Sequence, residues 1–155
     1  MSTCIIMSGV AGVGKSTWVK QWATEHSNRS VYIINLDDLR FEMFGKYADL
    51  THQQEKEMWS RVIQDAIKAS EIYEYLIIDS TALKNKRRIW YYNNLKNYWK
   101  RFELVILNGS LEKCLTQNRQ REKQVPNGVI EDMYNYQEIP NDEVIKTFDK
   151  IYTYK

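Results

Sequence analysis

The 155-residue sequence predicts an α/β fold, a parallel sheet of about five strands with helices on both faces. Three observations carry that prediction. Short apolar, β-rich runs alternate with longer stretches of helical spacing, and strands separated by helices need crossover connections. The strand-like runs are apolar almost throughout, as strands covered on both faces must be. A glycine-rich loop follows the first run and opens the first helical stretch, the order found in phosphate-binding turns.

The elements follow in turn. "TCIIMS" (residues 3–8) reads as a strand, and Trp18, Val19, Trp22 and Ala23 give residues 15–26 helical spacing. "VYIIN" (31–35) is the second strand, giving way to a helix through "LRFEMF" (39–44). From about Thr51, Met58, Val62, Ile63, Ala66 and Ala69 recur at threes and fours, the stripe of a long buried helix. Then come the strand "YLIID" (75–79), the helix "NKRRIWYYNNLKNYWKR" (85–101) and the strand "ELVIL" (103–107). A polar helix over 111–123, another after Pro126 and a last strand, "KIYTY" (150–154), complete the chain. Trp90, Tyr91, Tyr92, Tyr98 and Trp99 stand among Lys and Arg, as base-stacking residues do. The spacing of Ile89, Tyr92, Leu95, Trp99 and Phe102 instead favours one buried helix face.

Composition narrows the class. Hydrophobic residues at 43% and charged residues at 27% exclude disorder and fibrous repeats. The length suits a single domain over residues 1–155, and no repeat or linker interrupts it. No apolar run approaches the roughly 18 residues of a membrane helix, and "MSTCIIMSGV" lacks the basic start of a signal peptide, so a cytoplasmic protein with no membrane association is expected. Cys4 and Cys114 read as reduced, buried thiols, and His26 and His52 as isolated surface histidines. Net charge is only +2, yet residues 84–123 hold 11 Lys/Arg against 3 Asp/Glu. That segment either attracts anions or forms a solvated helix face.

"GVAGVGKST" satisfies G-x-x-x-x-G-K-[ST] from Gly9 to Ser16. Its glycines let successive N–H groups point at phosphate oxygens, and the helix opening at Lys15 aims its unpaired amides and positive dipole end at the same anion. Gly9, Gly12, Val13, Gly14, Lys15, Ser16 and Thr17 form the expected cradle for ATP, with Lys15 on the β/γ phosphates and the Ser16 hydroxyl on Mg²⁺. Asp79 ends the third strand at the sheet edge where ligands of open α/β sheets bind. It reads as a holder of metal-bound water, a contact to the acceptor, or a cap of the next turn.

"INLDDLR" places Asp37 and Asp38 at the carboxyl end of the second strand. Carboxylates repel phosphates, so their presence makes sense if one acid orients an acceptor hydroxyl and takes its proton. Arg40, with its planar fork, then suits a phosphate on the acceptor. The same residues also fit a helix cap and an i, i+3 ion pair. In "QNRQREKQVP", Arg119 and Arg121 lie on a polar helix that either closes over ATP or ends as an ordinary solvated surface.

Four segments, "GVAGVGKSTW", "INLDDLR", "IIDSTALKNKRR" and "QNRQREKQVPNGVIEDM", together resemble the 5′ polynucleotide kinases of bacteriophages and the wider P-loop kinases around them. The resemblance implies a P-loop kinase fold with a small helical lid, ATP and Mg²⁺ as cofactors, and a 5′-hydroxyl DNA or RNA end as acceptor. It makes Asp37 the catalytic base, Arg40 the contact to the acceptor phosphate, Arg121 the lid arginine on the transferred phosphoryl, and Asp38 a support for the turn. Ser80 separates Asp79 from Thr81, where the phage enzymes set their acid directly before Thr. No D-x-D-x-T stretch occurs, so a kinase domain without a 3′ phosphatase half is expected. Two other functions compete: a small-molecule kinase for a nucleoside, nucleotide, sugar or antibiotic, and a nucleotide-dependent switch or adaptor. Oligomeric state stays open.

Overall fold

The computed structural model describes residues 2–155. In chain order they form β1 (Thr3–Ser8), α1 (Lys15–Glu25), β2 (Val31–Asn35), α2 (Leu36–Phe44), α3 (His52–Ser70), β3 (Tyr75–Asp79), α4 (Asn85–Leu95), β4 (Arg101–Leu107), α5 (Leu111–Arg119), α6 (Asn127–Tyr136), α7 (Asp142–Thr147) and β5 (Lys150–Tyr154). The strands make one sheet in the order β2-β3-β1-β4-β5, and every neighbouring pair is parallel. The predicted α/β class and five-stranded parallel sheet are therefore observed. After β1 the chain moves out to β2, returns through β3, and crosses to β4 and β5 on the other side. This reversal opens a crevice at the carboxyl ends of the strands, next to the tip of β1.

Side chains alternate between two cores. Cys4, Ile6, Leu76, Ile78 and Leu104 face α2, α3, α4 and α7 through Leu39, Met58, Tyr91 and Val144. Ile5, Met7, Ile77, Val105 and Leu107 face α1, α5 and α6 through Val19, Cys114 and Ile130. Both cysteines are free and buried. His52 is exposed, while His26 is half-buried and stacked on Trp22, ring centroids 3.7 Å apart. The long helix begins where expected because Thr51 and Gln54 form a capping box: Gln54 N–H donates to Thr51 Oγ1 at 3.1 Å and Thr51 N–H to Gln54 Oε1 at 2.9 Å. No helix among the described residues is long and apolar enough to cross a membrane.

Two boundaries and one element differ from the sequence reading. The helix expected over 85–101 ends at Leu95, because Arg101 already pairs with Thr3 in the sheet and the chain must turn before it. Its buried face is Arg88, Tyr91 and Leu95, whereas Trp99 lies in the turn and Phe102 in β4. The apolar series thus runs over a helix, a turn and a strand that share one core. The polar helix expected to Lys123 ends at Arg119, where Asn118 turns the chain back. Helix α7 was not foreseen; it has six residues and one buried side chain, Val144, too little for a periodic signal.

The adjacent Trp99 and Tyr98 test the buried reading of this aromatic cluster. Trp99 is 1% exposed and its Nε1–H donates to Ala66 O at 3.1 Å, while Tyr98 is 46% exposed. Trp99→Ala is expected to lower unfolding free energy by about 3–5 kcal/mol and Tyr98→Ala by no more than about 0.5 kcal/mol. Urea unfolding measures both, and equal effects of the two variants contradict the assignment.

Candidate active site

A cleft of about 910 Å³ lies at the carboxyl edge of the sheet. Its floor is the loop between β1 and α1. Val13 N–H closes a tight turn on Val10 O at 3.1 Å, and Gly12 holds φ +86° where an added Cβ would stand 2.6 Å from Cys114 O. Gly14, at φ +113°, is the N-cap of α1, and neither a side-chain cap nor an acid in the first turn competes for the amides there. Lys15, Ser16 and Thr17 line the cleft with Gly12, Val13 and Gly14. Uncapped amides and a positive helix end make this an anion seat. Gly9 contributes its carbonyl, which accepts from Lys15 Nζ at 2.8 Å, with Val10 O at 3.1 Å. Burial pushes the Lys15 ammonium down to about 8; nearby Asp79 and Asp37 oppose that drop, and Arg121 adds to it.

Asp79, at the tip of β3, is 6% exposed. One of its oxygens, Oδ2, accepts both Ser16 Oγ–H at 2.9 Å and Asn35 Nδ2–H at 3.0 Å. Burial raises its pKa, partly offset by Lys15 and by these hydrogen bonds. Asn35 does double duty, because its Oδ1 accepts Asp38 N–H at 3.0 Å and caps α2. The cap is therefore Asn35 and not either aspartate, a role the sequence signals by Asn directly before a helical stretch.

Asp37 and Asp38 stand in the first turn of α2. Asp37 lines the cleft and is bridged by two arginines: Arg40 Nη1 reaches Oδ1 at 3.3 Å and Arg121 Nη2 reaches Oδ2 at 3.4 Å. Asp38 pairs with Lys123 of the loop between α5 and α6. That loop, with the flanking helices, forms a lid. Asn118, 2% exposed, fixes its base by donating to Val125 O at 2.7 Å and accepting Val125 N–H at 3.1 Å. Arg121 lies just past α5 and lines the cleft; Arg119 does not, its guanidinium instead reaching Thr116 Oγ1 at 3.4 Å. The sequence reading placed both on one helix, but residues two apart point to different sides and only Arg121 is freed by the helix end.

Arg88 is a second residue whose role the sequence did not disclose. It is 1% exposed and donates to Ala82 O at 2.9 Å, Asn85 Oδ1 at 2.8 Å, Ser8 Oγ at 3.0 Å and Leu83 O at 3.4 Å. Burial lowers its pKa to about 10. With Ser8 Oγ–H to Ala82 O at 2.9 Å and Gly9 N–H to Thr81 O at 2.8 Å, it ties the start of the glycine loop to the segment after Asp79. One cation of the basic middle segment is thus internal, and its neighbour Arg87 lies 3.9 Å over the Trp59 ring.

Known proteins share this fold. The L-seryl-tRNA(Sec) kinase of Methanococcus maripaludis is 27% identical over 137 residues, which are 88% of this chain and 52% of that protein. A chain of the Pnkp1/Rnl/Hen1 RNA repair complex superposes with TM-score 0.77 at 18% identity, over 96% of this chain and 46% of that one. Kti12 of Chaetomium thermophilum in complex with ADP-AlF3 gives TM-score 0.72 at 16% identity, over 97% and 87% of the two chains. This chain spans about half the length of the first two. A family model described as an AAA domain matches residues 4–140, from β1 through the lid. The chain therefore belongs to that AAA domain family and has the fold of the P-loop kinases.

Proposed function

We propose that this protein transfers the γ-phosphate of ATP to the 5′-hydroxyl end of DNA or RNA. The observation that carries the reading is the convergence of Asp37, Arg40 and Arg121 beside the glycine loop. An anion seat alone fits any nucleotide-binding protein; an acid held between two arginines at its edge fits phosphoryl transfer to an alcohol. The relative named as a seryl-tRNA(Sec) kinase and the fold shared with a chain of an RNA repair complex support an acceptor carried on nucleic acid.

In this reading the amides of Gly12 to Thr17 and Lys15 hold the phosphates of ATP. Asp37 orients the acceptor hydroxyl. Each of its oxygens is engaged by one arginine and retains a lone pair, so it accepts the hydroxyl proton as the new O–P bond forms and the bond to ADP breaks. Arg40 grips a phosphate on the acceptor, and Arg121 offsets charge on the transferred group. Ser16 and Asp79, hard oxygen donors 2.9 Å apart, suit Mg²⁺, which is held by one or two carboxylates and otherwise by water and phosphate. The ion supplies neutralisation of the phosphate charge.

The test offers labelled ATP and Mg²⁺ with 5′-hydroxyl DNA, 5′-hydroxyl RNA, nucleosides and common metabolites. Label on the oligonucleotide ends is expected, with Asp37→Asn lowering kcat about 10²- to 10⁴-fold while ATP affinity holds. Label on a metabolite alone replaces the acceptor, and nucleotide-dependent capture of a partner without any transfer replaces the activity.

Two pH effects follow. Lys15 binds phosphate best when protonated, so ATP affinity is expected to fall as pH rises through about 8; Lys15→Arg should abolish that fall in a calorimetric titration, and a pH-independent wild-type affinity contradicts it. Because burial raises the Asp79 pKa above its unfolded value, the stability tied to its neutral form is present at low pH and is lost as pH rises through the folded pKa. Asp79→Asn should then raise the urea midpoint at pH 7, lose that advantage below about pH 4, and reduce phosphoryl transfer. A gain that is absent at pH 7, or the same at both pH values, counts against the burial argument.

A further inference from the structure

Beyond Asp37 and Arg40 the cleft continues to a wall made by Tyr47, Ala48 and Asp49, with Glu55 and Trp59 of α3. Gly45, in the left-handed region at φ +73°, ends α2 and doubles the chain back. The turn lays the Tyr47 ring against Phe41, centroids 4.9 Å apart and planes 21° from parallel. Lys46 Nζ–H donates to Asp49 O at 2.8 Å and pins the loop. Both rings stay exposed, Tyr47 at 37% and Phe41 at 50%, in a protein that buries Tyr91, Trp99 and Phe102 almost completely. Trp59, the other aromatic of this wall, already has the Arg87 guanidinium against its ring.

Tyr47 lines the cleft with Phe41 stacked against it, and an exposed, supported ring in that place fits a planar ligand group. Three features favour a nucleobase over other planar groups. Tyr47 lines the same cleft as Arg40, the arginine assigned above to the acceptor phosphate. Lys123 of the lid holds its ammonium over the Tyr47 ring at 5.6 Å from the centroid, a looser contact than the 3.9 Å of Arg87 on Trp59, so a base stacking on Tyr47 displaces that cation and leaves it free for the same nucleotide's phosphate. The strand order puts this wall on the β2 side of the glycine loop, opposite β4 and β5, where Asn108 and Tyr154 line the cleft and leave separate room for the donor nucleotide.

We infer that Tyr47, backed by Phe41, is the stacking platform for the nucleobase at the accepting end of the strand. The inference rests on the phosphoryl-transfer reading and adds how the end is recognised. Stacking of this kind is tolerant of base identity, since every base offers a π-face, so Tyr47 selects for a base being present and not for its sequence.

The experiment compares kcat/KM for a single-stranded 5′-hydroxyl oligonucleotide with that for the same strand carrying an abasic terminal nucleotide. Wild type is expected to prefer the base-bearing end about 5- to 150-fold. Tyr47→Ala should erase the preference, Tyr47→Phe should keep it, and the KM for ATP should stay constant in both. Equal use of the two strands by wild type, or a preference that survives Tyr47→Ala, overturns the platform while leaving phosphoryl transfer standing. Failure of wild type to label either strand overturns both readings together.

Discussion

The arrangement of the cleft depends on one buried carboxylate. Asp79 Oδ2 accepts from Ser16 and from Asn35, so one atom joins the tip of β3 to the first turn of α1 and to the end of β2. Asn35 passes the constraint on by capping α2, which fixes the turn carrying Asp37. The anion seat and the acid beside it are thereby referred to a common point. Burial of Asp79 works against its ionised form, and a perturbed carboxyl in a cleft is what functional sites tend to retain.

Around that point the charges of the cleft fall into two kinds. Arg88 is internal and bonded to carbonyl and hydroxyl oxygens, so it acts as a brace between β1 and the segment after β3. Arg40, Arg121 and Lys123 are partly exposed and paired with Asp37 and Asp38. Pairs of the second kind contribute little, about 0–1 kcal/mol each. The lid is thus joined to α2 by contacts that a phosphate group can outcompete, while its own shape is kept by the buried Asn118. A rigid floor and a weakly latched cover suit the proposed transfer, in which water is excluded and product is then released.

Much of this was legible in the residues. The glycine loop, the continuous apolar runs of the strands and the 3.6-period stripe of α3 are local patterns, each contained within a single element. Asp37, Arg40 and Arg121 were visible as candidates beside equally ordinary roles as a cap, an i, i+3 ion pair and a solvated helix end, and the fold brings all three to one cleft. What misled was continuity: Leu95, Trp99 and Phe102 keep helical spacing although a turn and a strand interrupt the helix. Burial on a shared core gives the same spacing as burial along one helix. Asn118 and Arg88 gave no signal, because polar residues within helices are ordinarily solvated and nothing nearby reveals their inward partners.

Local spacing, then, determined most of the strands and helices, the place of the glycine loop, and which charged residues stand at the strand tips. The pairings that assemble them were settled by the fold: Ser16 to Asp79 across 63 residues, Arg88 to Ser8 across 80, and Arg121 to Asp37 across 84. Such contacts follow from the strand order β2-β3-β1-β4-β5, which sets β1 between β3 and β4. That order is chosen by the packing of two cores at once, and no short-range pattern in the chain encodes it.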